Sequence, residues 1–264
     1  MQINGIITFT TDFGASDPYA GVMKGIVLGA NPGARLIDIT HEIPAHDILH
    51  AAFTLEWTYF HFPPGTIHVA VIDPGVGGGR KNIAVLTENY IFVGPDNGVF
   101  TQVLAKEPPR EIRMIKNPPF ILSQISDTFH GRDVFAPCAG HLSAGKPFEE
   151  IGPLVKRIKN LDYPRPAREK NLLKGEIVSI DSFGNMITNI SEKVFREFIG
   201  KHKFEIYFGA ERFARIMRHY NDVNQGLPLV LFGSSCYMEI SMNEGNAAEY
   251  FMSSVGSPVT IRWF

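Results

Sequence analysis

Two polar segments of this sequence carry side chains able to move protons or pair charges. Asp73 and Arg80 stand at the two ends of the segment DPGVGGGR, and His130 lies within Asp127-Thr128-Phe129-His130-Gly131-Arg132-Asp133. A carboxylate or an imidazole can take a proton from a nucleophile, and a guanidinium can fix the charge and orientation of either. Each has a plainer local reading. Asp73 and Arg80 can meet as an ion pair that braces the loop. A single loop histidine is commonly solvated or hydrogen-bonded, and gains interest only beside a carboxylate that orients or charges it. Asp12, after the run IITFTT, reads equally well as a turn residue capping a helix. Asp181-Ser182-Phe183-Gly184-Asn185 is a polar turn whose Phe183 and Asn185 offer an aromatic face and an amide, a pair that suits a purine ring. Ser234-Ser235 and the stretch 243–248 are also turn-like, and Asn246 precedes a helical segment whose free amides can contact a ligand.

These residues need elements to hold them. Residues 6–11 are β-branched apart from Phe9 and suit a buried strand. After Asp12-Phe13-Gly14, Ser16 or Asp17 is the expected N-cap and Pro18 the first helical residue. Tyr19, Val22, Met23, Ile26 and Val27 then recur at helical spacing until Asn31-Pro32-Gly33. Strands are expected over 36–39 and 66–72, with a helix over 47–60 between them. That alternation implies right-handed crossovers and a mainly parallel sheet. Ligands of such sheets bind beyond the carboxyl ends of the strands, where Asp12, Thr40-His41-Glu42 and the Asp73–Arg80 loop all fall. A hairpin over 83–86 and 90–93 and a helix over 134–142 complete an α/β domain spanning 1–160. A charged, proline-rich stretch marks a linker over 161–173. Short strands at 175–180, 186–190, 204–208, 229–232, 237–241 and 259–263 make 174–264 a small antiparallel sheet or barrel.

Composition narrows the function classes. The 264 residues are 44% hydrophobic and 20% charged, with a net charge of −2, as in an ordinary soluble globular protein. No basic face for nucleic acid is evident, and apolar runs break well before the roughly 18 residues of a membrane span. The N-terminus lacks a basic stretch followed by an apolar one, and Cys138 and Cys236 lie outside any CxxC pattern, so a cytoplasmic protein with reduced thiols is expected. The glycines of DPGVGGGR do not form a phosphate loop, because a strand rather than a helix should follow and no Gly-Lys-Ser/Thr is present. They let the backbone pass close to a ligand or another chain. His46 and His50 have the spacing of a metal-ligand pair, yet no H-E-x-x-H pattern or third ligand accompanies them. They are read as the polar face of an amphipathic helix, and no metal is expected.

Taken together, TTDFG, DITHEI, HVAVIDPGVGG-x-R, GPDNG, TFHGRDVFAP, DSFGN-x-ITNI and NEGNAA resemble the S-adenosylmethionine hydroxide adenosyltransferases, the hydrolytic relatives of fluorinating and chlorinating adenosyl enzymes. The resemblance implies an N-terminal α/β domain, a C-terminal antiparallel β-barrel domain, and a homotrimer holding S-adenosylmethionine at the subunit interface. It implies hydrolysis of that substrate to adenosine and methionine without a cofactor. By motif match, Asp12 binds both ribose hydroxyls, and Asn185 with the backbone around Ala248 reads the adenine edge, with Phe183 against the ligand. Asp181 and Ser235 hold the ammonium and carboxylate of the methionine portion. Asp73, Arg80 and His130 match the water-activating trio. The halogenating relatives resemble a Tyr at the Asp73 position and lack the paired Arg and His, and a carboxylate there would repel a halide. His46 stands where those enzymes tend to place Trp. The alternatives are a halogenase, or a non-catalytic protein that binds S-adenosylmethionine or adenosine and has no use for the trio. A methyltransferase lacks support, since no glycine-rich loop follows the first strand.

Overall fold

A computed structural model describes residues 1–264, and the chain divides into two compact units, Met1–Leu161 and Asp162–Phe264. The first contains β1 (Ile6–Thr11), α1 (Tyr19–Ala30), β2 (Arg35–Thr40), α2 (Ile48–Thr58), β3 (Ile67–Val71), β4 (Asn82–Leu86), β5 (Ile91–Pro95), α3 (Thr101–Lys106), β6 (Glu111–Met114) and α4 (Ala136–Ser143). Its sheet has the order β2-β1-β3-β5-β4-β6. The first four strands in that order run parallel, while β4 is antiparallel to both neighbours, so that Asn82 at its start lies beside Pro95 at the end of β5. Every residue of β1, β3 and β5 is buried, as expected of strands covered on both faces. One face packs Ile7, Phe9 and Val69 against Met23 and Val27 of α1 and Leu142 of α4. The other packs Ala70 and Phe92 against Leu55 of α2 and Phe100.

Thr8 of β1 is in register with His68 of β3, and Thr8 Oγ1 lies 2.8 Å from His68 Nδ1. The histidine is out of contact with solvent, stacks on Phe92 at 5.2 Å, and leaves Nε2 without a partner. Burial pushes its pKa down to about 3, so it is a neutral core residue.

Local details depart from the sequence reading. Pro18, not Ser16 or Asp17, occupies the N-cap of α1, and no side chain caps that helix. Asp47 does cap α2, accepting from the His50 amide at 2.9 Å. His46 lies before that helix in a left-handed conformation with φ of 69°, so His46 and His50 do not share a helix face. The helix expected over 134–142 is a π-helical turn, Gly131–Phe135, running into α4.

The second unit contains β7 (Ala167–Glu169), β8 (Leu172–Ile180), β9 (Met186–Ser191), α5 (Glu192–Ile199), β10 (Phe204–Phe208), β11 (Glu211–Phe213), β12 (Pro228–Phe232), β13 (Tyr237–Met242), α6 (Ala247–Tyr250) and β14 (Pro258–Trp263). The order is β11-β10-β14-β8-β9-β13-β12, with β7 also on β8, and every pairing is antiparallel. The long β8 pairs β14 along its first half and β9 along its second, which curls the sheet into a nearly closed barrel around Leu173, Ile177, Met186, Ile240 and Ile261. β7 and the start of β8 occupy the stretch read as a linker. Helix α5 has no counterpart in the sequence reading: Ser191 caps it, and Phe195 and Ile199 bury one face on the barrel core. No helix of either unit is long and apolar enough to cross a membrane.

Candidate active site

The site in the first unit is built from the ends of the parallel strands. β3 ends at Val71, and the loop behind it turns twice, with Val76 N–H donating to Asp73 O at 3.1 Å and Gly78 N–H to Gly75 O at 3.0 Å. These turns bring Arg80 back over Asp73. Arg80 Nε donates to Asp73 Oδ1 at 2.8 Å and Nη2 donates to Oδ2, a bidentate pair. Arg80 Nη1 donates to Asn82 Oδ1 on β4, and the guanidinium lies over the Phe135 ring at 5.7 Å. The Asp73 and Arg80 side chains are only 6% and 10% exposed, so the pair is largely withdrawn from water. The loop can lie this close to the His130 segment because residue 77 is glycine. Its φ is 74°, and a Cβ there would run into the Asp127 carbonyl.

His130 directly precedes the π-helical turn, a feature that often marks functional sites. The turn is anchored by the fully buried Asp133, whose Oδ2 accepts from Ser126 N–H at 2.7 Å and whose carbonyl accepts from Leu122 N–H at 2.8 Å. His130 Nδ1 lies 2.8 Å from Arg80 Nη2. A guanidinium only donates, so Nδ1 accepts and the neutral ring carries its proton on Nε2. Asn82 Oδ1 stands 3.3 Å from the same nitrogen as a contact between two acceptors. Burial, and then the Arg80 charge, hold the His130 pKa below the usual range against the opposing pull of Asp73, Asp133 and Asp127.

Asp12 sits where β1 ends. Gly14 N–H donates to His41 O at 2.7 Å, tying the loop after β1 to the one after β2. Asp12 Oδ2 accepts from the His46 amide at 2.9 Å, and the carboxylate is 10% exposed. His46 is held in its left-handed conformation at this contact. Backbone strain of that kind tends to collect at functional sites.

Asp12, Asp73 and His130 line a single open cavity of about 310 Å³, together with His46, Asp17 and the rings of Phe13, Tyr19 and Phe129. Arg80 backs this cavity through Asp73 and His130. Sequence reasoning missed Asn82, because a strand-initial asparagine carries no signal of its own. Asp17 lines the cavity instead of capping a helix, and Tyr19, although at helical spacing, is 45% exposed there.

In the second unit, Asp181 organises the turn between β8 and β9. Its Oδ1 accepts from the amides of Phe183 and Asn185, both at 2.9 Å, and its Oδ2 accepts from Asn185 Nδ2 at 2.9 Å. This leaves the Phe183 ring 76% exposed. Asn246 caps α6 by accepting from Glu249 N–H at 3.0 Å, and its side chain fills the space where a Gly184 side chain would stand. The Ala248 amide donates to Gly184 O at 3.0 Å. Asp181, Phe183, Asn185, Asn246 and Ala248 therefore converge. The Ala248 N–H is already engaged, so it is not free to read an adenine edge. Ser235 lies elsewhere. It belongs to the turn before Tyr237, which pairs with Ser191, whereas the Asp181 turn adjoins Met186 opposite Ile240, at the other end of β13.

Comparison with known proteins bears on both units. Residues 7–152 match the family model of the SAM hydroxide adenosyltransferase N-terminal domain, and residues 175–260 match that of the C-terminal domain. An (R)-S-adenosyl-L-methionine hydrolase of Thermus thermophilus is 34% identical over 262 residues, spanning 97% of this chain and 98% of that protein. The crystal structure of an uncharacterized conserved protein from Thermotoga maritima superposes with a TM-score of 0.91 at 35% identity, over 97% of this chain and 99% of the other. A fluorinase of Actinoplanes sp. is 27% identical over 219 residues, spanning 72% of this chain and 74% of that protein.

Proposed function

Because the chain belongs to the SAM hydroxide adenosyltransferase family, we infer that it hydrolyses S-adenosyl-L-methionine to adenosine and L-methionine. The observation that carries this reading is that Asp73, braced by Arg80, and His130 line the same cavity as Asp12. A buried carboxylate at the point of attack also disfavours a halide, whose charge it would oppose in a poorly screened site.

The sulfonium makes C5′ electrophilic and lets methionine depart as a neutral thioether. The reaction therefore needs no general acid, metal or cofactor. A water lone pair forms the O–C5′ bond, the C5′–S pair goes to sulfur, and one water proton must leave. His130, with its proton on Nε2, donates a hydrogen bond to the water oxygen and is not the base. Asp73 takes the proton. Each of its oxygens already accepts from Arg80, so it is a modest base, and the transfer comes late, as the forming C–O bond acidifies the water. Holding the water in line supplies the positional gain, and the base adds about 10²- to 10⁴-fold.

For the substrate, Asp12 is the proposed ribose ligand, and Phe183 and Asn185, supported by the Asn246–Ala248 segment, form the proposed adenine site. Asp181 is assigned to the methionine portion by family likeness, and Ser235, toward the opposite end of β13, is not placed beside it. Three of the roughly four acceptor sites of the Asp181 carboxylate are occupied, which leaves one for an ammonium group. We further propose a homotrimer in which the first unit of one copy and the second unit of the next share a ligand. The support is that each unit carries half of a site: a cavity with the trio in one, and an exposed Phe183 beside an amide in the other. Two free cysteines suit the reducing cytoplasm.

The test is incubation with S-adenosylmethionine in ¹⁸O-water, with and without chloride, followed by mass spectrometry. Label in the adenosine 5′-hydroxyl is the expected result. A 5′-chloro product, or tight binding without turnover, would overturn the reading.

A further inference from the structure

Three aromatic rings from separate stretches of chain meet at the cavity. Phe13 follows Asp12, Tyr19 opens α1, and Phe129 precedes His130. Their centroids are 5.6 Å apart for Phe13–Tyr19, 5.9 Å for Phe13–Phe129 and 5.2 Å for Tyr19–Phe129, with ring planes steeply inclined to one another. All three line the cavity that holds Asp12 and Asp73. Ordinary core packing would have buried such a cluster, yet Tyr19 remains 45% exposed at the cavity. These rings already attract one cation: the Arg132 guanidinium lies over Phe129 at 5.4 Å and does not itself line the cavity. Asp17, which has no hydrogen-bond or ion-pair partner, adds negative charge on the same wall.

Resting on the function proposed above, we propose that Phe13, Tyr19 and Phe129 form an aromatic wall that selects the sulfonium of the substrate by cation–π attraction. The charge that the wall holds is the one the reaction removes. As C5′–S breaks, sulfur becomes a neutral thioether and the attraction fades. The wall therefore stabilises bound substrate more than the transition state. It lowers KM without raising kcat, and it loosens its hold on methionine as soon as that product forms. The same attraction discriminates against neutral thioether nucleosides, which lack the charge together with the methyl group that creates it.

The experiment uses the intact enzyme and compares the KM for S-adenosylmethionine with the inhibition constant of S-adenosylhomocysteine, the uncharged thioether. Tyr19→Leu and Phe13→Leu are expected to raise KM by about 2- to 30-fold, with kcat not lowered and the inhibition constant within twofold of wild type. Tyr19→Phe, which keeps the ring and loses the hydroxyl, should behave as wild type. Its thermal unfolding midpoint and those of the leucine variants check that all are folded. The proposal is overturned if both constants rise together, or if Tyr19→Phe is as impaired as Tyr19→Leu. Wild-type protein that neither binds nor turns over S-adenosylmethionine would overturn the parent function as well, a result visible before any variant is compared.

Discussion

Arg80 Nη2 stands 2.8 Å from His130 Nδ1, and this single contact fixes which face of the histidine can serve the cavity. Because arginine has no lone pair to offer, a proton on Nδ1 would set two donors against each other. The ring works in its neutral form with Nε2–H turned to other partners.

Activity should therefore fall on the acid side when His130 gains its second proton, with a midpoint below the ordinary histidine value of 6.5. The neutral form is the active one, so the loss occurs as pH decreases. A pH profile of kcat/KM checks the midpoint. Arg80→Leu should raise the histidine titration, seen by NMR of the ring, because it removes the second cause of the depression. An acid limb centred above 6.5 would contradict the tautomer.

Asp73→Asn is nearly isosteric and leaves Arg80 an acceptor oxygen, while it removes the base. Substrate affinity measured by calorimetry should stay within a few-fold of wild type. The value of kcat should drop by about 10²- to 10⁴-fold. Retention of most of the turnover would take the proton away from Asp73.

Gly77→Ala tests the approach of the two loops. The left-handed conformation and the collision with the Asp127 carbonyl should destabilise the fold by about 1–3 kcal/mol. Whatever folds should show lower kcat, because Asp73 and His130 are displaced from each other. A variant with wild-type stability and rate would mean that the loops close by another route.

His68 makes stability depend on acid. The unfolded chain binds its proton below about 6.5, whereas the folded chain refuses it until about 3, so stability is lost as pH falls through that window. The slope should approach about 1.4 kcal/mol per pH unit from this residue alone. Denaturant titrations between these limits should show a slope shallower by one proton in His68→Leu, even though that variant also leaves Thr8 without its partner. Parallel slopes would place the acid sensitivity elsewhere.

Much of the sheet was legible because β1 is an apolar or β-branched run and β3 is one broken only by His68, each followed by a polar loop. The meeting of Asp73 with Arg80 was one of two open readings, and only the double turn of the intervening loop decides it. The tautomer of His130 was out of reach, since it depends on a contact across fifty positions. Helix α5 escaped because eight amphipathic residues between strands make too short a pattern. The cap of α1 was misplaced because Pro18 takes the position itself and leaves Asp17 to the cavity. His46 was read on a helix face because spacing alone does not reveal a left-handed backbone. Asp181 and Ser235 are paired by family likeness alone, and the register of β13 on β9 puts them toward opposite ends of that strand.

The reversal of β4 has a consequence for how this site can vary. In a sheet whose strands all run one way, every side chain at the working edge comes from a strand's last residues or from a loop. Here a strand enters the edge by its first residue, and Asn82 is clamped to Pro95 by the antiparallel ladder. The anchor for the outer nitrogen of Arg80 is thus part of the rigid frame. Lengthening or shortening the loop before it would shift Asp73 against Arg80 but leave that anchor in place. The loop's length is thus held by a fixed point at each end, and within it Gly77 is fixed as well by its left-handed backbone and the Asp127 carbonyl.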